Sequence, residues 1–172
     1  MGDAQNLPYD DREFDVAVMA LVIAFLADPA KGVAEMTRVV KPGGLVAAYM
    51  WDLPAGGVPT SPFYRTMKSM GLDAAQPQSA DISRREALEA LWRDAGLRDV
   101  EVRELRITVR FADFDDFWSA NTLPVGPQAE RIRSLSEAQK ADLQCRLKET
   151  LPRATDGSIA YEAFANAVKG RV

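Results

Sequence analysis

The sequence predicts an α/β fold built on one parallel strand–helix–strand unit, and three observations carry that reading. Val16 to Ala27 form an unbroken apolar run of twelve residues. This is well short of the ~20 needed to cross a bilayer, and it suits a strand buried on both faces plus the turn beyond it. A helical pattern follows, and then a second apolar run, Leu45 to Met50, reads as another buried strand. Strand, helix and strand within about 40 residues make a βαβ unit, whose crossover is right-handed in nearly all known cases.

The elements follow in order. Gly2 to Arg12 is polar and turn-rich. Asp10, Asp11 and Asp15 form an acidic cluster before the first strand, open to a paired-carboxylate reading or to that of a solvated loop. Asp28 can cap the next helix and Pro29 can take its first turn. Val33, Met36 and Val40 recur at helical spacing, with Lys31, Glu35 and Arg38 off that stripe. Pro42-Gly43-Gly44 is expected to stop the helix.

Beyond the second strand, Trp51 to Pro59 reads as a turn and loop without the glycine spacing of a nucleotide fingerprint. Ser61 to Met70 is a short helix carrying Phe63, Tyr64, Met67 and Met70, open to being a substrate lid or plain core; Gly71 to Ala80 is loop. Ser83-Arg84-Arg85-Glu86 has the pattern of a capping box. The helix it opens would bury Leu88, Leu91, Trp92 and Ala95 and end at Gly96.

Arg98 to Phe111 reads as a long strand whose apolar residues change face, from Val100 and Val102 to Leu105, Ile107, Val109 and Phe111. Such a switch points to a bulge near Arg103-Glu104. Asp113 caps a helix with Phe114, Phe117 and Trp118, and Asp115 and Asp116 suit its positive end. Leu123 to Pro127 is a linker, and Gln128 to Ser134 is a further helical stretch. Ser136 to Gln139 is a capping box for a helix with Leu143, Leu147 and Leu151, stopped by Pro152. Gly157 to Lys169 reads as a strand with two largely apolar faces, hence an inner one.

Composition narrows the function. The 172 residues carry a net charge of -4, with Lys and Arg scattered, which argues against a nucleic-acid partner. With no histidine and the single cysteine Cys145, a His- or Cys-based metal site and His-dependent triads are excluded. Cys145, in a helical pattern, is expected to be a small buried group. One cysteine fits a reducing cytoplasm. No signal peptide or membrane span is read from the sequence.

Three motifs then carry a resemblance. Gly2-Asp3-Ala4-Gln5-Asn6-Leu7-Pro8-Tyr9, Phe14-Asp15-Val16-Ala17-Val18 and Glu35-Met36-Thr37-Arg38-Val39-Val40-Lys41-Pro42-Gly43-Gly44 arrive in the order and spacing of a class I S-adenosylmethionine-dependent methyltransferase. The chain resembles the branch that methylates small molecules and lipids. The phrase Leu91 to Leu97 also recurs there, and all of Gly2 to Val172 can be laid against the family.

The resemblance implies a partial Rossmann-like sheet, mixed because the last strand runs antiparallel, with helices on its faces. It implies a single domain over residues 1–172, with residues 112–152 as a helical cap insertion between the last two strands. The likeness begins at the family's third strand, so the first two strands and the glycine-rich loop are missing from this chain.

By the same resemblance, the Asp3 carboxylate accepts from the adenine amine and the Ala4 backbone helps read the ring, although Asp3 alone also reads as a solvated turn residue. Ala20 and Leu21 stand at the carboxyl end of the strand, where ligands of open α/β sheets bind. Ile23-Ala24-Phe25 occupies the place where relatives often carry a His or Asn, and no catalytic residue is assigned.

The expectation is a small-molecule methyltransferase that is incomplete and inactive as this chain alone, binding S-adenosylmethionine weakly or not at all. The unpaired edge Phe14–Leu21, or the apolar surface beside it, is expected to join two chains as a homodimer. The alternatives are a non-catalytic dimerising or partner-binding remnant, and a small-ligand domain using the cap pocket.

Overall fold

The computed structural model describes residues 2–72, 76–123 and 131–172. The chain divides into two compact units. The first comprises Met1–Val58, Gln76–Arg106 and Phe164–Val172, and the second Pro59–Ala75 and Ile107–Ala163. Among the described residues the strands form one mixed sheet in the order β1-β2-β4-β3. Its strands are β1 (Phe14–Ala20), β2 (Val40–Trp51), β3 (Arg98–Phe111) and β4 (Ile159–Arg171).

In the first unit β1 and β2 pair in parallel, from Val16 opposite Leu45 to Ala20 opposite Tyr49. This bears out the parallel pair expected from the two apolar runs. β4 runs antiparallel to β2, from Leu45 opposite Arg171 to Trp51 opposite Ala165, and lies between β2 and β3 as an inner strand should. Helix α1 (Pro29–Val39) starts where expected: Asp28 Oδ1 accepts from Lys31 N at 3.0 Å and Pro29 fills the first turn. Its apolar stripe meets Val46, Ala48 and Met50 of β2.

The Lys41-Pro42-Gly43-Gly44 turn corrects an expectation. Helix α1 is already over at Val39, and Val40 is extended, so these residues belong to the entry of β2. Gly43 takes φ 81°, the left-handed region open to glycine. At Gly44 any side chain would meet the Asp15 carbonyl at 2.6 Å. The strand register slips at that point, between Phe14 and Val16. The two glycines thus set how closely β2 passes β1.

Helix α2 (Ser61–Ser69) belongs to the second unit, and α3 (Arg85–Asp94) covers the sheet of the first together with α1. Trp92 is fully buried there, and its indole Nε1 donates to the Val46 carbonyl at 3.1 Å. The start of α3 differs from the capping box expected of Ser83. The N-cap is Arg84, without a side-chain cap. Ser83 lies in a short 3-10 turn, where its Oγ donates to the Ala80 carbonyl at 2.6 Å and accepts from Leu53 N at 3.1 Å. A distant backbone amide has taken the oxygen that a cap would have used.

The expectation that the first strand is buried on both faces is also corrected. Helices cover one side of β1, where Met19 is buried, while Val16 and Val18 on the other side are 50% and 60% exposed. β3 runs unbroken through Arg103-Glu104, and its left-handed residue is Asp99, φ 50°. Its apolar residues change face between Val102 and Leu105, shortly before the strand leaves the first unit at Arg106 and enters the second at Ile107.

The second unit is built from helices and rings. In α4 (Phe114–Asn121) the Asp113 cap forms as expected, accepting from Asp116 N at 2.8 Å. Helix α5 (Glu137–Thr150) carries the expected reciprocal capping box of Ser136 and Gln139. Residues 131–134 are helical. The rest of the expected Gln128–Ser134 helix, the linker residues 124–127, and residues 73–75 of the expected loop lie outside the described residues. Phe63 and Met67 of α2 are fully buried beside Phe117, Leu143 and Leu147, which makes that helix part of this core. Cys145 is exposed, contrary to expectation; its thiol lies 3.6 Å from Glu149 Oε1, on the outer side of α5 from buried Leu143 and Leu147.

Candidate functional site

The residues expected to meet a ligand lie around the carboxyl end of β1. Leu21, the residue after that strand, takes φ 57° while its N–H donates to the Tyr49 carbonyl of β2 at 2.9 Å. A left-handed leucine is strained backbone, held here by the sheet bond. The kink ends the strand at Ala20 and sends the chain into a 3-10 turn, Ile23–Phe25. Ile23 and Ala24 face inward; Phe25 is 61% exposed.

The Asp3–Ala4 segment comes to the same end of the sheet. The Ala4 carbonyl, the end of Met19 and the Leu26 side chain converge on Gly32 of α1. Asp3 opens a tight turn closed by the Asn6 N–H to its carbonyl at 3.0 Å, and Gln5 N donates to Asp3 Oδ1 at 2.9 Å. Among the described residues Asp3 Oδ2 has no partner and the side chain is exposed. Asp3–Ala4 and Ala20–Leu21 share this end of the unit, and no hydrogen bond joins the two pairs among the described residues.

Sequence reasoning missed two residues that fix this segment. In the sequence Glu35 and Arg38 stand off the apolar stripe of α1 and within the third motif, with no role assigned to either. Arg38 donates to Glu35 Oε1 and Oε2 at 2.8 and 2.9 Å, to the Leu7 carbonyl at 3.1 Å, the Tyr9 carbonyl at 2.9 Å and Asp11 Oδ1 at 2.7 Å. Glu35 Oε2 accepts from Leu7 N at 2.8 Å. The Arg38 fork and the Leu7 N–H together hold the Glu35 carboxyl down to about 2. Hydrogen bonds to Glu35 and Asp11 push the Arg38 pKa upward in turn. The available signal was their position, three residues apart just before the Pro-Gly-Gly turn, but their partners lie about thirty residues upstream.

Of the acidic cluster, Asp11 is taken by Arg38 and Asp15 by Lys41 at 2.9 Å, while Asp10 is exposed. These pairings account for two of the three carboxylates without a chemical role. An open groove of about 420 Å³ runs along α1 and α3, lined by Ala34, Thr37, Arg38, Leu91 and Asp94 among others. Helix residues and the flanking Ala95 line it, so it is separate from the strand ends.

A parallel strand pair with a helical crossover, an antiparallel inner last strand and a polar turn at the strand ends make a Rossmann-like sheet of the kind seen in methyltransferase structures. The solved structures agree on the fold. A protein of Bacillus halodurans C-125 assigned to the methyltransferases matches with a TM-score of 0.55 at 17% identity, over 99% of this chain and 69% of that one. The YcgJ protein of Bacillus subtilis matches at 0.53 and 15% identity, over 99% of this chain and 70% of that one.

Sequence comparison takes the likeness further. Residues 1–48 match the family model described as a methyltransferase domain. A demethylmenaquinone methyltransferase of Desulfitobacterium hafniense is 53% identical over 47 residues, 27% of this chain and 19% of that protein. One of Staphylococcus epidermidis is 27% identical over 120 residues, 59% of this chain and 48% of that protein. The chain thus spans about half or less of the length of these curated relatives. The resemblance to class I S-adenosylmethionine-dependent methyltransferases, read from the three motifs, holds in both fold and sequence.

The residues present fit the adenine end of S-adenosylmethionine. Asp3 offers an exposed carboxylate oxygen with no partner among the described residues, a suitable acceptor for an exocyclic amine, beside the Ala4 backbone. No helix among the described residues is long and apolar enough to cross a membrane.

Proposed function

We propose that this chain is the cofactor-reading and substrate-side portion of a methyltransferase that transfers a methyl group from S-adenosylmethionine to a small molecule. The cofactor supplies an electrophilic methyl group on a sulfonium. This chain's part is binding and orientation: Asp3 accepts from the adenine amine, Ala4 lies against the ring, and the strained Ala20–Leu21 kink lines the cofactor side. The methyl acceptor is a small molecule; the curated relatives are named for demethylmenaquinone. The cap of residues 112–152 would cover that acceptor, and the lone cysteine suits a cytoplasmic setting.

The observation that supports this reading is the exposed Asp3 carboxylate, one residue before Ala4, whose carbonyl approaches Gly32 together with the end of the Met19 side chain. Binding by this chain is expected to be weak. The test is therefore an amide chemical-shift titration with adenosine and with S-adenosylhomocysteine. Asp3, Ala4, Ala20 and Leu21 should shift, and Asp3→Ala should abolish the shifts. Shifts confined to other residues would refute the site. A micromolar dissociation constant would refute the expectation of weak binding.

A second reading is favoured by Val16 and Val18, 50% and 60% exposed on the edge strand β1. An unpaired apolar edge recruits a further strand or surface. In this reading the chain is a non-catalytic remnant that pairs as a homodimer through Phe14–Leu21 or the surface beside it. A monomer by analytical ultracentrifugation at high concentration would count against it.

A further inference from the structure

The geometry points to Glu35 and Arg38 as positioning residues that hold the Asp3–Ala4 segment in ligand-ready geometry from below, through the backbone of Leu7 to Arg12. The inference rests on the adenine-end reading of Asp3 and Ala4. A guanidinium has five N–H donors in a planar fork. All five of Arg38 are used: two on the Glu35 carboxylate, two on the carbonyls of Leu7 and Tyr9, and one on Asp11. Glu35 closes the arrangement by accepting the Leu7 N–H at 2.8 Å, so Leu7 is gripped at both its amide and its carbonyl.

The grip extends in both directions. Downstream, Arg12 takes the left-handed φ of 58° and its N–H donates to the Arg38 carbonyl at 2.9 Å. Upstream, Gln5 Oε1 accepts the Asp28 N–H at 2.6 Å, which ties the turn of Asp3 to the start of α1. The segment is thus tied to the Asp28 cap before α1, to the middle of the helix at Glu35 and to its last turn at Arg38. It contains little that could hold it otherwise. Asp3, Gln5, Asn6 and Pro8 to Glu13 carry few apolar groups, and Ala4, Leu7 and the Tyr9 ring against Phe14 are its contacts with apolar neighbours. A polar loop with so few apolar anchors would be mobile without directional bonds.

The chemistry makes the charge pair specific. Lysine keeps the charge of Arg38 but brings three donors on a flexible stem, so it cannot serve Glu35, two carbonyls and Asp11 together. Glutamine at position 35 can still accept from Leu7 but loses the charge-assisted fork.

The experiment compares Arg38→Lys, Glu35→Gln and Asp3→Ala with the wild type by amide hydrogen exchange and by adenosine titration of the same samples. Arg38→Lys should raise exchange across residues 3–12 by about tenfold, leave Val46 to Met50 of β2 unchanged, and weaken adenosine binding by about tenfold. Glu35→Gln should do the same to a smaller degree, and it serves where Arg38→Lys fails to fold. Asp3→Ala should abolish binding with exchange at Leu7 to Arg12 unchanged. Two results overturn the assignment while leaving the adenine-end reading intact: unchanged exchange in residues 3–12, or raised exchange with wild-type affinity. Absence of adenosine binding by the wild type overturns the reading and this assignment with it, whatever the exchange shows.

Discussion

The two units bury different things. In the first, a sheet lies under side chains of α1 and α3, and polar groups meet named partners: Trp92 the Val46 carbonyl, Ser83 the Leu53 N–H, Asn166 both Asp52 and the Ser83 carbonyl, Arg38 the upstream loop. In the second, rings fill space. Phe117 sits 5.4 Å from Phe63 and 5.2 Å from Phe111, centroid to centroid, with Phe114 and Tyr161 farther out. The first unit is specified by directional bonds, which place particular atoms; the second by volume, which places a surface.

The largest expected effects test whether each core is as local as this contrast says. Trp92 and Phe117 are both fully buried. Truncation to alanine should cost about 3–5 kcal/mol in either case. Trp92→Ala should loosen the amides of β1 and β2, and Phe117→Ala those of α4 and α5, in hydrogen exchange at residue level. Their patterns must differ; identical ones would break the contrast. Trp92→Phe sharpens it: the ring volume largely stays, the Val46 carbonyl loses its donor, and about 1–3 kcal/mol should still be lost. Phe117→Leu, which removes no hydrogen bond, should cost less than Phe117→Ala by most of the volume restored.

Next comes Ser83, fully buried, whose hydroxyl both donates and accepts. Ser83→Ala leaves Leu53 N without its acceptor and should cost about 1–3 kcal/mol in urea unfolding. A cost near zero would show that this junction is not held by its hydrogen bonds.

How much of this could be read beforehand follows from distance along the chain. The parallel pair, the Asp28 and Asp113 caps and the Ser136–Gln139 box are contacts within a few residues or repeat at a fixed period, and all were legible. Ser83 was misread as a cap because its oxygen is claimed by Leu53, thirty residues away. Glu35 and Arg38 lie off the apolar stripe, which names no partner for them, while their partners are the backbone of Leu7 and Tyr9. A backbone carbonyl carries no sequence signature, so a side chain that recognises one is invisible to pattern reading. The candidate site divides the same way: Asp3, Ala4, Ala20 and Leu21 are expected from motif resemblance, while the bonds by which Glu35 and Arg38 hold the upstream segment show only in the geometry.

The Glu35–Arg38 pair also gives the first unit a pH dependence. The Glu35 carboxyl is held down to about 2 from an ordinary 4.5. A depressed carboxyl stabilises the fold above its unfolded value, and that contribution fades as pH falls from about 4.5 through about 2. Exchange in residues 3–12 should therefore rise across that window in the wild type, and Glu35→Gln should remove this part of the acid dependence. In the second unit the opposite sign applies to Tyr161, whose partly buried phenol is pushed up to about 12 by desolvation. Its neutral form is favoured in the fold, so stability falls as pH rises from about 10 through about 12, which phenolate absorbance can follow.

The smallest effect is expected where the first unit is uncovered. Val18 is 60% exposed and Val16 50% exposed, both on the face of β1 opposite α1. Little apolar area is withdrawn from water there, so Val18→Lys should shift stability by no more than about 0.5 kcal/mol. The same change puts a charge on an apolar edge, one of the ways natural sheets prevent edge pairing. If the edge joins two chains, the variant should be monomeric under conditions where the wild type is dimeric, with an unfolding midpoint nearly unchanged at low protein concentration. A loss of several kcal/mol in the monomer would mean that Val18 packs against something within its own chain. The contrast between a sheet built by directional bonds under one covered face and a second core built by packed rings would then need redrawing at β1.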